Sequence, residues 1–207
     1  MTRNGEATRE RILDSAEQLV LDKGLAATSV DDILSGAGTS KGAFFHHFPT
    51  KNHLARALIE RYAAADLGFL DEFMARAEEK HADPADQVLA FISAFVEASD
   101  ELVSQQPSCL YVSYIYDKQL TEDGTNDVIK RTLLAWRERL AAKLREAATV
   151  HPPVRPIDLD ALADHVAASF EGAFVVARAT GERDVMRSQL ELVHELVALV
   201  FGVQPTR

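Results

Sequence analysis

Apolar residues recur along this chain at spacings of three and four almost from end to end, and strict apolar–polar alternation is nowhere sustained. That period belongs to helices that bury one face. A first helix is expected over about 7–23, with Ile12, Leu13, Ala16, Leu19 and Val20 on one side and Gly24 ending it. A second opens behind Ser29 and turns Val30, Ile33 and Leu34 inward. Gly38 makes a turn, Ser40 caps a third helix, and Pro49 stops it. Thr50 caps a fourth that runs past Arg76. Asp83-Pro84 opens a fifth, which reaches about Gln106; Pro107-Ser108 then breaks the chain before a short helix through Tyr116. Gly124 to Ala148 carries the stripe Val128, Ile129, Leu133, Trp136, Leu140 and Leu144. Asp158 caps a helix to about Thr180, Gly181 ends it, and a last helix covers about 184–201. The expected fold class is all-α, with about nine helices joined by short connections.

Composition agrees with this reading. The chain has 207 residues, 47% hydrophobic and 26% charged, which is enough for a sizeable core, and its seven prolines and ten glycines are too few for a disordered chain. The single cysteine, Cys109, excludes an internal disulfide. The N-terminus lacks the apolar stretch of a secretory signal, and the late apolar run 196–201 is far short of a membrane span. The expectation is a cytoplasmic protein with no membrane partner. The net charge is −10, which looks unsuited to nucleic acid. Its location changes that picture. Residues 1–62 hold eight Lys/Arg and eight Asp/Glu, so the excess acid lies in the rest of the chain. An acidic body disfavours non-specific phosphate binding and leaves affinity to a local basic face.

The chemistry concentrates in residues 28–51, TSVDDILSGAGTSKGAFFHHFPTK. Two short helices meet at a glycine turn, and the second carries hydrogen-bonding, cationic and aromatic side chains, as a helix entering a DNA groove requires. Thr39, Ser40, Lys41, Gly42 and Ala43 form its front. Ser40 caps the helix, Lys41 offers charge to a phosphate or a guanine edge, and Gly42 and Ala43 let the backbone approach the bases. Phe44 and Phe48, four apart, are expected in the core, with Phe45, His46 and His47 off that face. Lys51 sits at a helix start, where its charge opposes the dipole and a phosphate would explain it.

These residues resemble the N-terminal domain of the TetR family of transcriptional regulators. The likeness covers roughly residues 8–55 and rests on Ile12-Leu13 with Ala16, Gly24, Thr28-Ser29-Val30, Asp32-Ile33, Ala37-Gly38, Ser40-Lys41-Gly42, Phe44-Phe45, His47-Phe48 and Lys51. It implies a helix-turn-helix DNA-binding domain over 1–50 and a helical ligand-binding and dimerisation domain over 51–207. It further implies a repressor that binds a palindromic double-stranded DNA operator as a homodimer and is released by a small-molecule or electrophile inducer. The DNA-binding residues would be Ser29, Thr39, Ser40, Lys41, Gly42, Ala43, Phe45, His46, His47 and Lys51. The dimer would form through the last two helices, at Leu162, Val166, Phe170, Val193, Val197 and Val200. Phe95, Cys109, Tyr114, Trp136 and Phe174 would border the ligand. The chain departs from the family pattern at Phe45, where a phosphate-bonding tyrosine is common, at Asp31, and at Thr39, where valine is common. These departures bear on which DNA sequence is preferred.

Other readings are weaker. Gly36, Gly38 and Gly42 miss the dinucleotide-loop spacing by one and follow no strand. His46, His47 and His53 lack cysteine or carboxylate partners at zinc spacing, and after His194-Glu195 an alanine stands where a zinc-protease helix needs its second histidine. No nucleophile–base constellation is legible, so neither catalytic residues, metal nor cofactor are expected. Cys109 opens a helix, where a thiol pKa falls, so it is a candidate sensor of electrophiles as well as an ordinary buried thiol. A helical small-molecule-binding protein without DNA regulation is the alternative, supported only by Phe45 and Asp31.

Overall fold

The computed structural model describes residues 3–105, 110–115 and 124–204, and among these it contains nine helices and no strand. They are α1 (Arg3–Lys23), α2 (Val30–Ala37), α3 (Lys41–His47), α4 (Lys51–Lys80), α5 (Pro84–Gln105), α6 (Leu110–Ile115), α7 (Thr125–Val150), α8 (Leu159–Thr180) and α9 (Asp184–Phe201). The apolar period placed their centres, and the caps placed most of their ends. α1 starts a turn earlier than the stripe alone suggested, with Glu6 in its first turn, where a carboxylate suits the helix dipole. Cys109 lies outside the described residues.

Two compact units divide the chain: residues 1–65 with 107–131, and residues 66–106 with 132–207. The first is built on Ile12, Leu13, Ala16 and Val20 of α1, Ile33 of α2, Phe44 and Phe48 at α3, and Leu54, Leu58 and Ile59 of α4. Leu110, Tyr111 and Tyr114 of α6 and Val128 and Ile129 of α7 join that cluster. The unit around the N-terminal helices is therefore discontinuous in sequence. Its tightest helix contact is α1 on α2. A Cβ on Gly36 would stand 2.3 Å from Ser15 Oγ, and that hydroxyl donates to the Ile33 carbonyl at 3.1 Å. On the other side of α1, Arg61 of α4 pairs with Asp14 at 2.7 Å and with Glu17, strapping the two helices together.

In the second unit α5 and α8 both pack on α9. Leu70, Leu89, Ile92, Leu140, Leu144, Leu162, Val193 and Val197 form its larger apolar cluster. Phe174, Met186 and Leu190 centre a smaller one. Asp83 caps α5, accepting from the Ala85 N–H at 2.8 Å, and Asp158 caps α8, accepting from Asp160 and Ala161 N–H groups at 3.0 and 3.2 Å. Asp83 also binds the His151 ring at 2.7 Å, tying the end of α7 to the start of α5.

Candidate nucleic-acid interface

The turn between α2 and α3 follows from three residues. Ser29 and Asp32 form a reciprocal capping box at α2, each side chain accepting from the other's backbone N–H. Gly38 ends α2 at φ 59°, a left-handed conformation that costs other residues a steric penalty. Ser40 then begins α3, its hydroxyl accepting from the Ala43 N–H at 3.2 Å. α3 is anchored by Phe44 and Phe48, both buried, whose rings lie 5.9 Å apart.

That anchor leaves the other side of α3 outward. Ser29, Ser40, Lys41, Gly42, Phe45 and His46 are exposed, and Thr39 and Ala43 are half-buried. Gly42 meets only the Ser40 hydroxyl within 4.0 Å of where a side chain would start, so the backbone there is open to close approach. Phe45 keeps its ring outward, edge-on to Phe44 at 5.2 Å. His47 is half-buried. Burial, with smaller contributions from His46 and Arg9, holds its imidazole below the ordinary value, and its Nδ1 has no hydrogen-bond partner among the described residues.

The charges near α3 are less equal than the sequence suggested. Lys41 is exposed and makes no ion pair among the described residues. Lys23 pairs with Asp32 at 2.8 Å, and this bond with the Ser29 contacts brings the Asp32 carboxyl down to about 2. Lys51 Nζ donates to the Leu25 carbonyl at 2.6 Å, so its place at a helix start has an internal explanation. Arg9, absent from the sequence-based set, lies 5.4 Å above the Phe48 ring, beside His47. Its signal was only a basic residue one turn ahead of the α1 stripe.

The residues expected at a dimer seam sort differently. Leu162, Val166, Val193 and Val197 are buried in the second unit's own core, which leaves them no surface for a second chain. Val200 is half-buried on the same cluster, and Phe170 meets Phe95 edge-on at 5.6 Å. The large exposed apolar residues of α8 and α9 are instead Val175, Val176, Leu192 and Leu199. Helical period alone cannot separate such a face from the core face of the same helix.

Of the residues expected around a ligand, Phe95 and Trp136 come together with centroids 6.0 Å apart. Phe95 is a hub that also touches Phe73 at 5.1 Å and Phe91 at 5.2 Å. Trp136 Nε1 donates to Asp66 at 2.9 Å. Phe174 is buried in the cluster on which Phe95 and Phe170 pack. Tyr114 is buried in the first unit's core. No group of three or more candidate metal ligands occurs among the described residues, and no helix there is long and apolar enough to cross a membrane.

The sequence model of the family described as "Bacterial regulatory proteins, tetR family" matches residues 12–58, from the α1 stripe to Leu58 of α4. The transcriptional regulator AcuR of Cereibacter sphaeroides is 28% identical over 171 residues, 81% of this chain and 74% of that protein. The transcriptional repressor NemR of Escherichia coli is 33% identical over 84 residues, 41% of each chain.

Residues 12–58 belong to the TetR family's DNA-binding domain. A regulatory protein TetR from Rhodobacter sphaeroides shares the fold, with a TM-score of 0.75 at 24% identity over 90% of this chain and 96% of that one. The TetR fold thus extends well past the residues that the family pattern covers. The helix-turn-helix and the regulators it resembles mark the chain as a transcriptional regulator.

Proposed function

We propose that this chain is a cytoplasmic, ligand-responsive repressor of the TetR family that binds a palindromic operator as a homodimer. The observation that carries the DNA-binding part is the outward front of α3. A Ser40 cap, an exposed Lys41 and an unobstructed Gly42 sit together at one helix N-terminus, where phosphates and base edges are read. In this reading residues 1–50 bind DNA through Ser29, Thr39, Ser40, Lys41, Gly42, Ala43, Phe45, His46 and His47, joined by Lys51 at the start of α4, which also holds the loop at Leu25. Residues 51–207 bind the inducer and the second subunit. The aromatic side chains around Phe95 and Trp136 suit an apolar ligand with few polar handles. The exposed Val175, Val176, Leu192 and Leu199 suit a two-fold contact of α8 and α9. Repression is also in keeping with the relatives, NemR being a transcriptional repressor by name.

A gel-shift titration against DNA from upstream of the chain's own gene tests the reading. A discrete complex that resists excess non-specific DNA is expected. Binding no tighter than to random DNA overturns it and favours the ligand-binding protein without DNA regulation. Addition of the inducer should dissociate the complex, because a ligand that prefers one conformation shifts the population toward it.

A further inference from the structure

The outward side of α9 carries Ser188, Leu192, Glu195, Leu199 and Gly202, all exposed and spaced by three or four residues. Leu192 and Leu199 keep 61% and 70% of their surface in water. At the far end the stripe loses its side chain, because Gly202 closes α9 with a left-handed φ of 64°. Val154, from the α7–α8 loop, stands in that place. Its N–H donates to the Val200 carbonyl at 2.9 Å, and its Cγ2 lies 3.5 Å from where a Cβ on Gly202 would be. Val154 is itself 69% exposed, and Val150 and Ile157 on either side are exposed as well.

This loop is held in place. The His151 N–H donates to the Ala147 carbonyl at 2.8 Å, and the His151 ring binds Asp83. Pro152, Pro153 and Pro156 restrict its backbone further. The loop therefore presents an apolar knob, fixed in position, as the next rung of the α9 stripe.

We propose that the α7–α8 loop forms part of the homodimer seam, with Val154 packed against the second copy of this chain beside Leu199. The inference rests on the α8–α9 dimer proposed above. One observation and one symmetry argument name a second copy as the occupant. The knob is continuous with the α9 face, so a seam covering Leu199 reaches Val154. A two-fold contact also pairs a patch with itself, so an apolar patch of this kind needs no complementary surface on another protein. A loop already ordered gives up little conformational freedom when it docks.

The test is sedimentation of the full chain over a dilution series, with Leu192→Glu and Val154→Glu beside the wild type. The wild type should be a dimer and Leu192→Glu a monomer. Val154→Glu should raise the dimer dissociation constant about tenfold or more, since it replaces a buried valine with a charge. Val154 is exposed within one chain, so the variant should keep the wild-type circular dichroism spectrum. A second readout uses Val154→Cys in a Cys109→Ser background, labelled with a polarity-sensitive dye; its emission should move to the blue as the dimer forms. An unchanged dissociation constant for Val154→Glu, with a dye that still reports water and a monomeric Leu192→Glu, places the loop outside the seam and leaves the dimer standing. A wild type that sediments as a monomer at concentrations where it binds DNA overturns both.

Discussion

Three lysines near the recognition helix show what a single side chain's neighbours decide. Lys23 is spent on Asp32, Lys51 on the Leu25 carbonyl, and Lys41 on nothing among the described residues. Lys41→Ala should weaken operator binding and lower the salt-dependence slope by about one, with little change in melting temperature. An unchanged slope would remove Lys41 from the phosphate contacts. Lys51→Ala should lower the melting temperature as well, because it releases the loop at Leu25. The sequence showed these two as equal charges, because the partner of Lys51 is a backbone carbonyl 26 residues away. Gly36 was legible as a glycine and not as a constraint. Gly36→Ala should cost about 1–2 kcal/mol, since the new methyl must displace the Ser15 hydroxyl from its bond. In denaturant melts Gly36→Ala should cost less in a Ser15→Gly background, which leaves no side chain for the methyl to meet. Equal costs in both backgrounds would exclude the clash.

Helix ends were the most legible feature, because a cap is a local event. Ser29, Ser40, Asp83 and Asp158 each sit within three residues of the N–H they satisfy, so spacing alone placed them. What the sequence missed is that Asp83 has a second task across 68 residues, its bond to His151. Asp158→Ala should cost about 1 kcal/mol through the lost cap, and Asp83→Ala should cost more, because it also frees the end of α7. The same pair sets an acid limb. The His151 hydrogen bond, aided by the Ala85 and Asp86 N–H groups, holds the Asp83 carboxyl below its ordinary value. The unfolded chain therefore takes up that proton first. The contribution is complete above about pH 4 and fades as pH falls through the lower folded value. Asp83→Asn should flatten the acid end of the stability–pH curve; wild-type curvature in that variant would show that Asp83 does not set it.

For the whole molecule, the sequence showed the helices and the DNA-binding head but drew the packing units by chain order. Tyr111 and Val128, more than 60 residues beyond Pro49, belong to the same cluster as Phe44, and no local pattern encodes that. The last two helices were seen as broadly apolar, yet which apolar residues face water became clear only once α5 and α8 were packed on α9. His194 shows the consequence. It is buried on α9, burial holds its imidazole below the ordinary value near 6.5, and its Nε2 has no partner among the described residues. Its folded value is depressed, so its contribution is complete above about pH 6.5 and is lost as pH falls through that lower value. Melting temperatures measured between about pH 5 and 8 should decline on the acid side for the wild type and less for His194→Gln; parallel curves would exclude the assignment. Trp136 has a different kind of consequence. It is the chain's single tryptophan, and its indole lies between the Phe91 and Phe95 rings and the Asp66 carboxylate. All indole emission from the unlabelled protein therefore originates beside the aromatic hub. A compound that enters there should change its intensity or colour, so a library of inducers could be screened in an ordinary fluorimeter before any operator is known.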